Sequence, residues 1–426
     1  MNTTLSINCL FFTSALTALA LIWSARQAEA AASGSSDTSG TWTATGALVA
    51  GGYARAATLL ADGDVLLAGR PGDCATNSEV YEVASGKWTT TSPLNECGCG
   101  HTLTLLPNGK VLAAGGYNSK DGRLSRAVSN AELFDPVSRT WTKTGAMNSV
   151  HGKHTATLLP NGKVLVTGNN YRTNDFVVTE WYDEATGKLT HKTSVIETLP
   201  PNGKGQLAGY YDRTNDFASA ELYDPATGTW KRIASLNQPR AHHTATLLTN
   251  GLVLVVGGDD KQGTALSSAE LYDPTAETWT EVHGLQLARG YHTATLLTTG
   301  KVLVLGGQGG DGKPFSEAEL FDPVTRRWAA AGAMRLARSY HTATLLENGK
   351  VLVAGGSSFG GSLKFVEVYD PANGAWTRAR PMATARHWHT ATLLQNGKVL
   401  IAGGTGTSWS DSLSSAELFD PLSRER

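Results

Sequence analysis

The chain has 426 residues and a formal net charge of -1 at pH 7, with 36 Lys and Arg against 37 Asp and Glu. This balance gives no electrostatic reason to bind nucleic acid or an anionic membrane surface, so we expect neither partner. The 47 glycines, together with short runs of Thr, Val, Leu and Trp bounded by Gly, Asn and Asp, favour strands and tight turns. The composition therefore predicts an all-β protein.

The first thirty residues have the pattern of an export signal. An apolar stretch extends from about Leu10 to Trp23, and Ala28 and Ala30 follow at the spacing that signal peptidases prefer. The alternative is an uncleaved anchor, because the first residues lack Lys and Arg. We expect an exported protein, either periplasmic or extracellular.

This pattern divides the chain into three parts. We expect residues 1–30 to be the signal peptide, residues 31–40 a short flexible linker and residues 41–426 one folded domain. Residues 41–426 contain no run near the ~20 apolar residues that span a bilayer, so no membrane span is expected in the mature chain. We expect this mature chain to be a monomer.

Cleavage would remove Cys9 and leave Cys74, Cys97 and Cys99. In an oxidising compartment, the preferred expectation is a disulfide of Cys74 with Cys97 or Cys99, with one thiol left over. The three thiolates and His101 would also form an acceptable tetrahedral zinc set, which is the alternative.

A repeat with a period in the range typical of propeller blades runs through the predicted domain. Its marker is HTATLL with close variants, and a glycine follows the His position at one constant offset in every unit, as Gly257 follows His243. A Glu in AELYDP precedes a Trp at a constant offset in most units, as Glu270 precedes Trp279. The eight marker positions, which we call anchors, are Arg55, His101, His154, Val195, His243, His292, His341 and His389.

Each unit is predicted to form four short strands, which repeated radially make a propeller blade. Eight units predict eight four-stranded blades. Seven is the alternative, because the unit at Val195 is degenerate and the segment leading into it is short.

The two ends of the domain complement each other. The last unit ends before its Trp strand, whereas Trp42 precedes the first anchor, Arg55, at the same offset as Trp279 precedes His292. We therefore expect the N-terminal strand to pair alongside Glu417–Asp420 and close the last blade.

The order of GG, AELYDP, TW and a following R..YH resembles the kelch repeat. The resemblance covers nearly everything from Thr41 to Arg426. It implies a β-propeller but no single activity.

The repeated histidines are expected to be structural. A catalytic residue is needed once, whereas the anchor is His in six of eight units. We expect these six side chains chiefly to make backbone hydrogen bonds that hold blade to blade.

Candidate ligand contacts lie just before the anchors of units five to eight. The loop after GG and the loop before each anchor should emerge on one face, called the upper face. Arginines near an axial opening beside aromatic rings would suit a carboxylate, sulfate or sugar ligand. The kelch resemblance implies the same, because the matching arginines of eukaryotic kelch domains often line a peptide-binding mouth. The alternative is that each arginine pairs with a nearby carboxylate. The predicted contacts are Arg240, Arg289, Arg338, Arg386, His242, Tyr291, Tyr340 and Trp388.

The preferred function is a binding or scaffold module that holds a protein, peptide or glycan on the upper face, without a catalytic residue, metal or other cofactor. One alternative is a copper radical oxidase similar to galactose oxidase and glyoxal oxidase. That resemblance rests on Tyr291, His292, Tyr340 and His341 in RGYHT and RSYHT, and on Cys99. The chain ends at Arg426, where galactose oxidase has a further domain that carries a copper histidine. The other alternative is a sugar isomerase similar to the periplasmic kelch proteins that resemble sialic acid epimerases.

Overall fold

The computed structural model describes most of the predicted domain. The described residues are 40–49, 51–52, 56–69, 77–96, 100–118, 126–168, 177–183, 188–194, 218–408 and 411–421. The predicted signal peptide, most of the linker and the three cysteines lie outside them. Within these ranges every regular element is a β-strand, and none is a helix long and apolar enough to span a membrane.

Seven four-stranded antiparallel sheets make up the described fold. Strand β1 (Thr41–Ala44) precedes the first of them. Blade 1 contains β2 (Ala56–Leu59), β3 (Val65–Ala68), β4 (Ser78–Glu82) and β5 (Lys87–Thr90). Blade 2 contains β6 (Thr102–Leu105), β7 (Val111–Ala114), β10 (Ala131–Asp135) and β11 (Thr140–Lys143), with the small hairpin of β8 (Tyr117–Asn118) and β9 (Arg126–Ala127) between β7 and β10. Blade 3 contains β12 (Thr155–Leu158), β13 (Val164–Thr167), β16 (Ala220–Asp224) and β17 (Thr229–Arg232).

The remaining blades follow the same order. Blade 4 contains β18 (Thr244–Leu247), β19 (Val253–Val256), β20 (Ala269–Asp273) and β21 (Thr278–Val282). Blade 5 contains β22 (Thr293–Leu296), β23 (Val302–Leu305), β24 (Glu317–Asp322) and β25 (Arg327–Ala333). Blade 6 contains β26 (Thr342–Leu345), β27 (Val351–Ala354), β30 (Val366–Asp370) and β31 (Ala375–Ala379), with the hairpin of β28 (Ser357–Ser358) and β29 (Gly361–Ser362) before β30. Blade 7 contains β32 (Thr390–Leu393), β33 (Val399–Ala402) and β34 (Ala416–Asp420), and β1 is its fourth strand.

The blades surround a common axis. Their innermost strands contact one another in the closed cycle β2, β6, β12, β18, β22, β26, β32 and back to β2. The fold of the described residues is therefore a seven-bladed β-propeller. The seven-blade alternative is confirmed, and the preference for eight blades is not.

Blade 3 explains the difference in blade number. Its inner pair of strands comes from the unit of His154, but its third strand is β16, which pairs with β13 through Val166↔Glu221 and Leu165↔Leu222. Between them, β14 (Val177–Asp183) and β15 (Lys188–Ser194) pair with each other as a two-stranded hairpin. Two sequence units thus contribute to one blade. The Val195 anchor itself lies outside the described residues.

The N-terminal strand closes the ring as the sequence predicts. Trp42 lies opposite Phe419 and Ala44 lies opposite Glu417 in the antiparallel pairing of β1 with β34. The Trp42 and Phe419 rings are 5.0 Å apart, and the Trp42 indole donates a 2.7 Å hydrogen bond to the carbonyl of Arg380 in blade 6. β1 therefore joins both ends of the chain and also contacts the preceding blade.

The hydrophobic core lies between neighbouring blades. The cluster between blades 6 and 7, for example, joins Val366, Val368 and Met382 to Ile401 and Phe419, all 4 % exposed or less. The second strand of each blade is fully buried, because both faces of every sheet are covered by neighbours.

The Gly-Gly pair is required where the chain approaches the backbone of two loops, the one that leads into its own blade and the one that leads into the next blade. Gly257 and Gly258 have φ of 64° and 94°. A Cβ at Gly258 would lie 2.3 Å from the carbonyl oxygen of Ala241, and one at Gly257 would lie 2.6 Å from that of Arg289. Only glycine meets both constraints without strain.

Replacing Trp42 by Ala should test ring closure. Complete burial makes a Trp to Ala change cost ~3–5 kcal/mol, so half-buried Trp42 should lower the free energy of unfolding by about 2 kcal/mol. Trp279→Ala is the matched control, because half-buried Trp279 has the same strand position, packs 4.9 Å from Tyr272 and bonds the Ala234 carbonyl at 2.8 Å. Chemical denaturation should give similar losses. A Trp42→Ala loss near zero beside a full Trp279→Ala loss would mean that β1 does not hold the ring.

Candidate functional site

The four predicted arginines lie inside blades 4 to 7 and are 0 % exposed. In blade 4, Arg240 donates to the carbonyls of Gly257 (2.7 Å) and Ser268 (3.1 Å), to the Ser268 hydroxyl (2.9 Å) and to Glu270 Oε1 (2.9 Å). The other blades repeat the ion pair and the glycine carbonyl bond. The repeated pairs are Arg289 with Glu319, Arg338 with Glu367 and Arg386 with Glu417.

In each of these arginines the charge is paired with a glutamate, and both terminal guanidinium nitrogens donate hydrogen bonds within the blade. Burial lowers the pKa of all four guanidinium groups, and the paired glutamates oppose that effect. Each glutamate also accepts backbone N–H bonds from the loop before the anchor, as Glu270 does from Asn237 (2.7 Å) and Gln238 (3.0 Å). The structure therefore favours the carboxylate-pairing alternative over an arginine-lined mouth, and the arginines support the loops that carry the neighbouring rings.

The anchor histidines link neighbouring blades. In five of the six, Nε2 lies within hydrogen-bond distance of a Thr hydroxyl on the innermost strand of the preceding blade, for example His292 with Thr244 at 3.0 Å. The expected contact between blades is present, although this partner is a side-chain hydroxyl rather than backbone. The other pairs are His154 with Thr102, His243 with Thr155, His341 with Thr293 and His389 with Thr342.

Burial keeps these five anchor histidines neutral. It lowers the pKa of His154 and His292 to about 3 and of His243, His341 and His389 well below the ordinary value. The nearby arginines act in the same direction on four of them, His154 being affected instead by His151. These side chains are not available to titrate near neutral pH or to meet a ligand from solvent.

Four rings form a continuous arc around the axis on the upper face. This axial arc comprises His242, Tyr291, Tyr340 and Trp388, each half-buried. Consecutive ring centroids lie 4.0, 4.7 and 5.0 Å apart. Their backbones are also connected, because each N–H donates to the carbonyl of the equivalent residue in the preceding blade at 3.1–3.3 Å, starting from Lys153. The structure thus brings together four of the eight predicted ligand contacts.

The axial arc is held in a backbone conformation that disfavours side chains. The φ angles are 51° at His242, 57° at Tyr291, 56° at Tyr340 and 52° at Trp388. A non-glycine residue in this region costs ~1 kcal/mol. Blade 2 has Gly100 at the same position, with φ of 69°. The ring positions therefore accept glycine in this fold, and the aromatic side chains are kept despite strain.

Polar groups lie beside the rings. His242 Nδ1 is 2.7 Å from Asp259 Oδ1, and the Ser339 hydroxyl donates to Gln308 Oε1 at 3.3 Å. Burial and the carboxylate of Asp259 raise the pKa of Tyr340 to about 12, while hydrogen bonds with Gln308 and Tyr291 act in the opposite sense. Tyr340 therefore stays a neutral phenol at any physiological pH.

Sequence reasoning missed Asp259 and Gln308. Both follow a Gly-Gly pair directly, and this position varies between blades, with Ser357 in blade 6 and Thr405 in blade 7. A varying residue next to a repeated pair was the available signal. The cysteine predictions, for a disulfide or for zinc with His101, fall outside the described residues, although His101 itself is 6 % exposed.

Comparison with protein families agrees with the repeat. The KLHDC2/KLHL20/DRC7 Kelch-repeats domain matches residues 242–425, and the Kelch motif matches residues 99–148. The chain is a kelch-repeat β-propeller. No curated protein matches this kelch propeller.

Two solved structures share the kelch propeller's fold. A fungal alcohol oxidase of the AA5 family, in complex with copper, has a TM-score of 0.65 at 17% identity over 91% of this chain and 77% of its own. The structure of YjhT has a TM-score of 0.55 at 13% identity over 78% of this chain and 99% of its own. At these identities the likeness is one of fold.

The residues of the copper-oxidase resemblance differ in their surroundings: Tyr291 and Tyr340 lie in the axial arc, whereas His292 and His341 are buried and contact the preceding blades. Among the residues that the structure describes, no group of three or more His, Cys, Asp and Glu side chains is placed to hold one metal ion. The axial arc offers a single imidazole, His242, whose Nδ1 is engaged by Asp259, and the Nδ1 of His387 lies 2.7 Å from the Ser362 hydroxyl.

Replacing Arg338 by Ala should destabilise the kelch propeller strongly. The change leaves Glu367 buried without its cation, which typically costs ~3–5 kcal/mol. Thermal and denaturant unfolding would measure the loss. The exposed Arg335 provides the control, since Arg335→Ala removes an equal charge and should change stability by less than ~0.5 kcal/mol. If both changes lowered stability by equally small amounts, the structural role of Arg338 would be contradicted and it would again be a candidate ligand contact.

Stability should fall as the pH is lowered from about 6.5 to 5. In this window unfolded histidines bind protons, whereas the anchor histidines, with lowered pKa values, stay neutral in the folded state. The stability that neutral burial contributes is present above the unfolded pKa and is lost towards acid pH, at roughly 1.4 kcal/mol per pH unit for each histidine. Unfolding free energies measured at several pH values should therefore have a slope of several protons. His292→Gln should flatten that slope by about one proton, and an unchanged slope would contradict the assignment.

Proposed function

We propose that this kelch propeller is a binding module that holds a glycan at the axial arc on its upper face. The arc itself is the observation that carries the proposal. Four rings are kept at positive φ in consecutive blades, at a position where Gly100 shows that glycine is accepted. Strain of this kind, maintained at adjoining positions, favours a functional role for the side chains.

The chemistry of the arc favours a neutral, hydroxyl-rich ligand over an anionic one. The nearby arginines are buried and neutralised by glutamates, so they add no free positive charge to the mouth. Tyr and Trp rings provide apolar faces with polar tips, and Asp259 and Gln308 add acceptors and donors beside them. A sugar presents apolar C–H faces, which match the aromatic rings, and hydroxyl groups, which match the polar side chains of Asp259 and Gln308. A protein or peptide ligand is the other outcome that a binding experiment would distinguish.

A location outside the cytoplasm is part of the same proposal. It rests on the apolar stretch and the Ala28 and Ala30 spacing in the first thirty residues. A glycan-binding role suits that location, where free and polymeric sugars are encountered.

The double variant Tyr291→Gly and Tyr340→Gly should test the binding proposal. Loss of two stacking surfaces at ~0.5–1.5 kcal/mol each should weaken glycan binding by about tenfold or more. The relief of backbone strain should offset much of the lost ring packing, so the melting temperature should change by no more than about 3 °C. A glycan array followed by calorimetry would measure both the ligand and the loss.

Val324→Ser is the control for this test. Val324 is 90 % exposed in the turn between β24 and β25, on the face opposite the arc. The Val324→Ser variant should bind the glycan as tightly as the unchanged protein does. Capture of a peptide in place of any glycan, or equal binding by the double glycine variant, would overturn the proposal.

A second function, sugar epimerisation or anomer exchange, is favoured by one contact. His242 beside Asp259 forms an imidazole–carboxylate pair, the arrangement that orients a general base. Under this alternative His242 would accept a proton from a bound sugar hydroxyl. Anomer exchange followed by NMR should then slow by about 100-fold in His242→Gln, while sugar affinity stays similar. An unchanged rate of anomer exchange in His242→Gln would contradict this alternative and leave glycan binding as the only proposed function.

A further inference from the structure

One aromatic ring in the loops of the upper face lies outside the axial arc. Phe359 is 74 % exposed, and it is the one mostly exposed aromatic side chain among the residues that the structure describes. It lies at the tip of the hairpin of β28 and β29, where Ser358 pairs with Gly361 across a two-residue turn. A ring so exposed adds little to the hydrophobic core between the blades.

The first strand of this hairpin is attached to the loop that carries the arc in blade 6. Ser357 and Ser339 exchange two backbone hydrogen bonds, at 2.8 and 3.0 Å, and Ser339 directly precedes Tyr340. Phe359 is two residues further along the chain, so its Cα lies within about 7 Å of the Cα of Ser357. The exposed ring therefore stands beside the arc.

The second strand of the hairpin is attached to blade 7. The Ser362 hydroxyl donates to the carbonyl oxygen of Gly406 and lies 2.7 Å from Nδ1 of His387. His387 is 4 % exposed and directly precedes Trp388. The base of the hairpin is thus held on both sides, next to the arc members of blades 6 and 7.

The equivalent loops of blades 4 and 5 have polar tips. Blade 4 has Lys261 and Gln262, and blade 5 has Gly310 and Asp311, all of them exposed. These loops share the attachment seen in blade 6, because the residue after each glycine pair forms a backbone bridge with the residue before the arc member. The backbone of such a loop therefore accepts a polar tip, and the ring of Phe359 is not needed to form it. Its place beside the arc favours a role in ligand contact.

We propose that Phe359 is a second stacking surface for the glycan, so that the module takes an oligosaccharide rather than a single sugar. This inference rests on the proposed function of the axial arc. One sugar stacked on Tyr340 or Trp388 uses the arc alone, whereas the next sugar of a chain that leaves the arc at this end meets Phe359. Because a Phe ring has no polar tip, it contacts the apolar C–H face of that sugar.

Calorimetry with glucose, galactose and mannose, and with linear oligosaccharides of each, would test the proposal. The unchanged protein should bind at least one of these oligosaccharides about tenfold more tightly than its monosaccharide. Phe359→Ala should weaken oligosaccharide binding by about three- to tenfold, the loss expected for one stacking contact, and leave monosaccharide binding unchanged. Its melting temperature should stay within about 2 °C of that of the unchanged protein, because the side chain is exposed.

Two further variants make the test specific. Phe359→Tyr keeps an aromatic ring and should retain the tighter binding of the oligosaccharide. Val324→Ala removes exposed apolar surface on the opposite face and should change the affinity for neither ligand.

Three results would contradict the inference while leaving the arc as a glycan site. They are equal affinity of the unchanged protein for monosaccharide and oligosaccharide, undiminished oligosaccharide binding by Phe359→Ala, and an equal loss of both ligands in that variant. Failure of the unchanged protein to bind any of these sugars would instead overturn the proposed function, and this inference with it.

Discussion

Each blade is a sheet with two apolar faces, and this constraint determines the rest of the structure. A sheet of this kind is stable only when both faces are covered, so every blade depends on its two neighbours. A closed ring meets this requirement, because it leaves no blade with an uncovered face. An open row of blades would leave one face exposed at each end. The pairing of β1 with β34 removes the last exposed edge and ties the N-terminal strand to the C-terminal blade. The interblade Trp and His contacts reinforce the same closed arrangement.

The interior of this ring contains an unusual amount of charge. Four buried arginines and their glutamates occupy consecutive blades, and each glutamate also holds the loop that precedes its anchor. The ion pairs thereby determine where the residues just before each anchor lie. The axial arc stands on this framework, one residue before each anchor histidine and two after each arginine. Support of the site and stability of the blade are therefore provided by the same groups.

Much of this fold is visible in the sequence, for definite reasons. The fixed distance from anchor to glycine reflects a two-stranded hairpin of constant length, so strand order could be predicted unit by unit. The position of Trp42 before the first anchor predicted the closing strand. The number of blades could not be obtained by counting units, since sequence spacing does not show that β16 pairs with β13 across an intervening hairpin.

The candidate site was predictable only in part. Spacing placed the arginines and the rings near the axis, but it does not distinguish a side chain that points into the blade from one that faces the mouth. A glutamate 30 residues away in the sequence decides that orientation for Arg240. Asp259 and Gln308 were missed because they directly follow the glycine pair. Backbone geometry accounts for that pair, so the repeat gave no reason to look for a ligand contact beside it. The pKa of Tyr340, about 12, depends on surroundings that only the fold assembles.

The hairpin of β14 and β15 has a thermodynamic consequence for blade 3. Its second and third strands, ending at Thr167 and beginning at Ala220, are separated by far more chain than Val256 and Ala269 in blade 4. Loop-closure entropy grows only with the logarithm of length, so the longer connection costs about 1 kcal/mol more. The penalty is small against a core shared with two neighbours. This connection is therefore the point at which the ring tolerates additional sequence, and where a grafted segment would least disturb its closure.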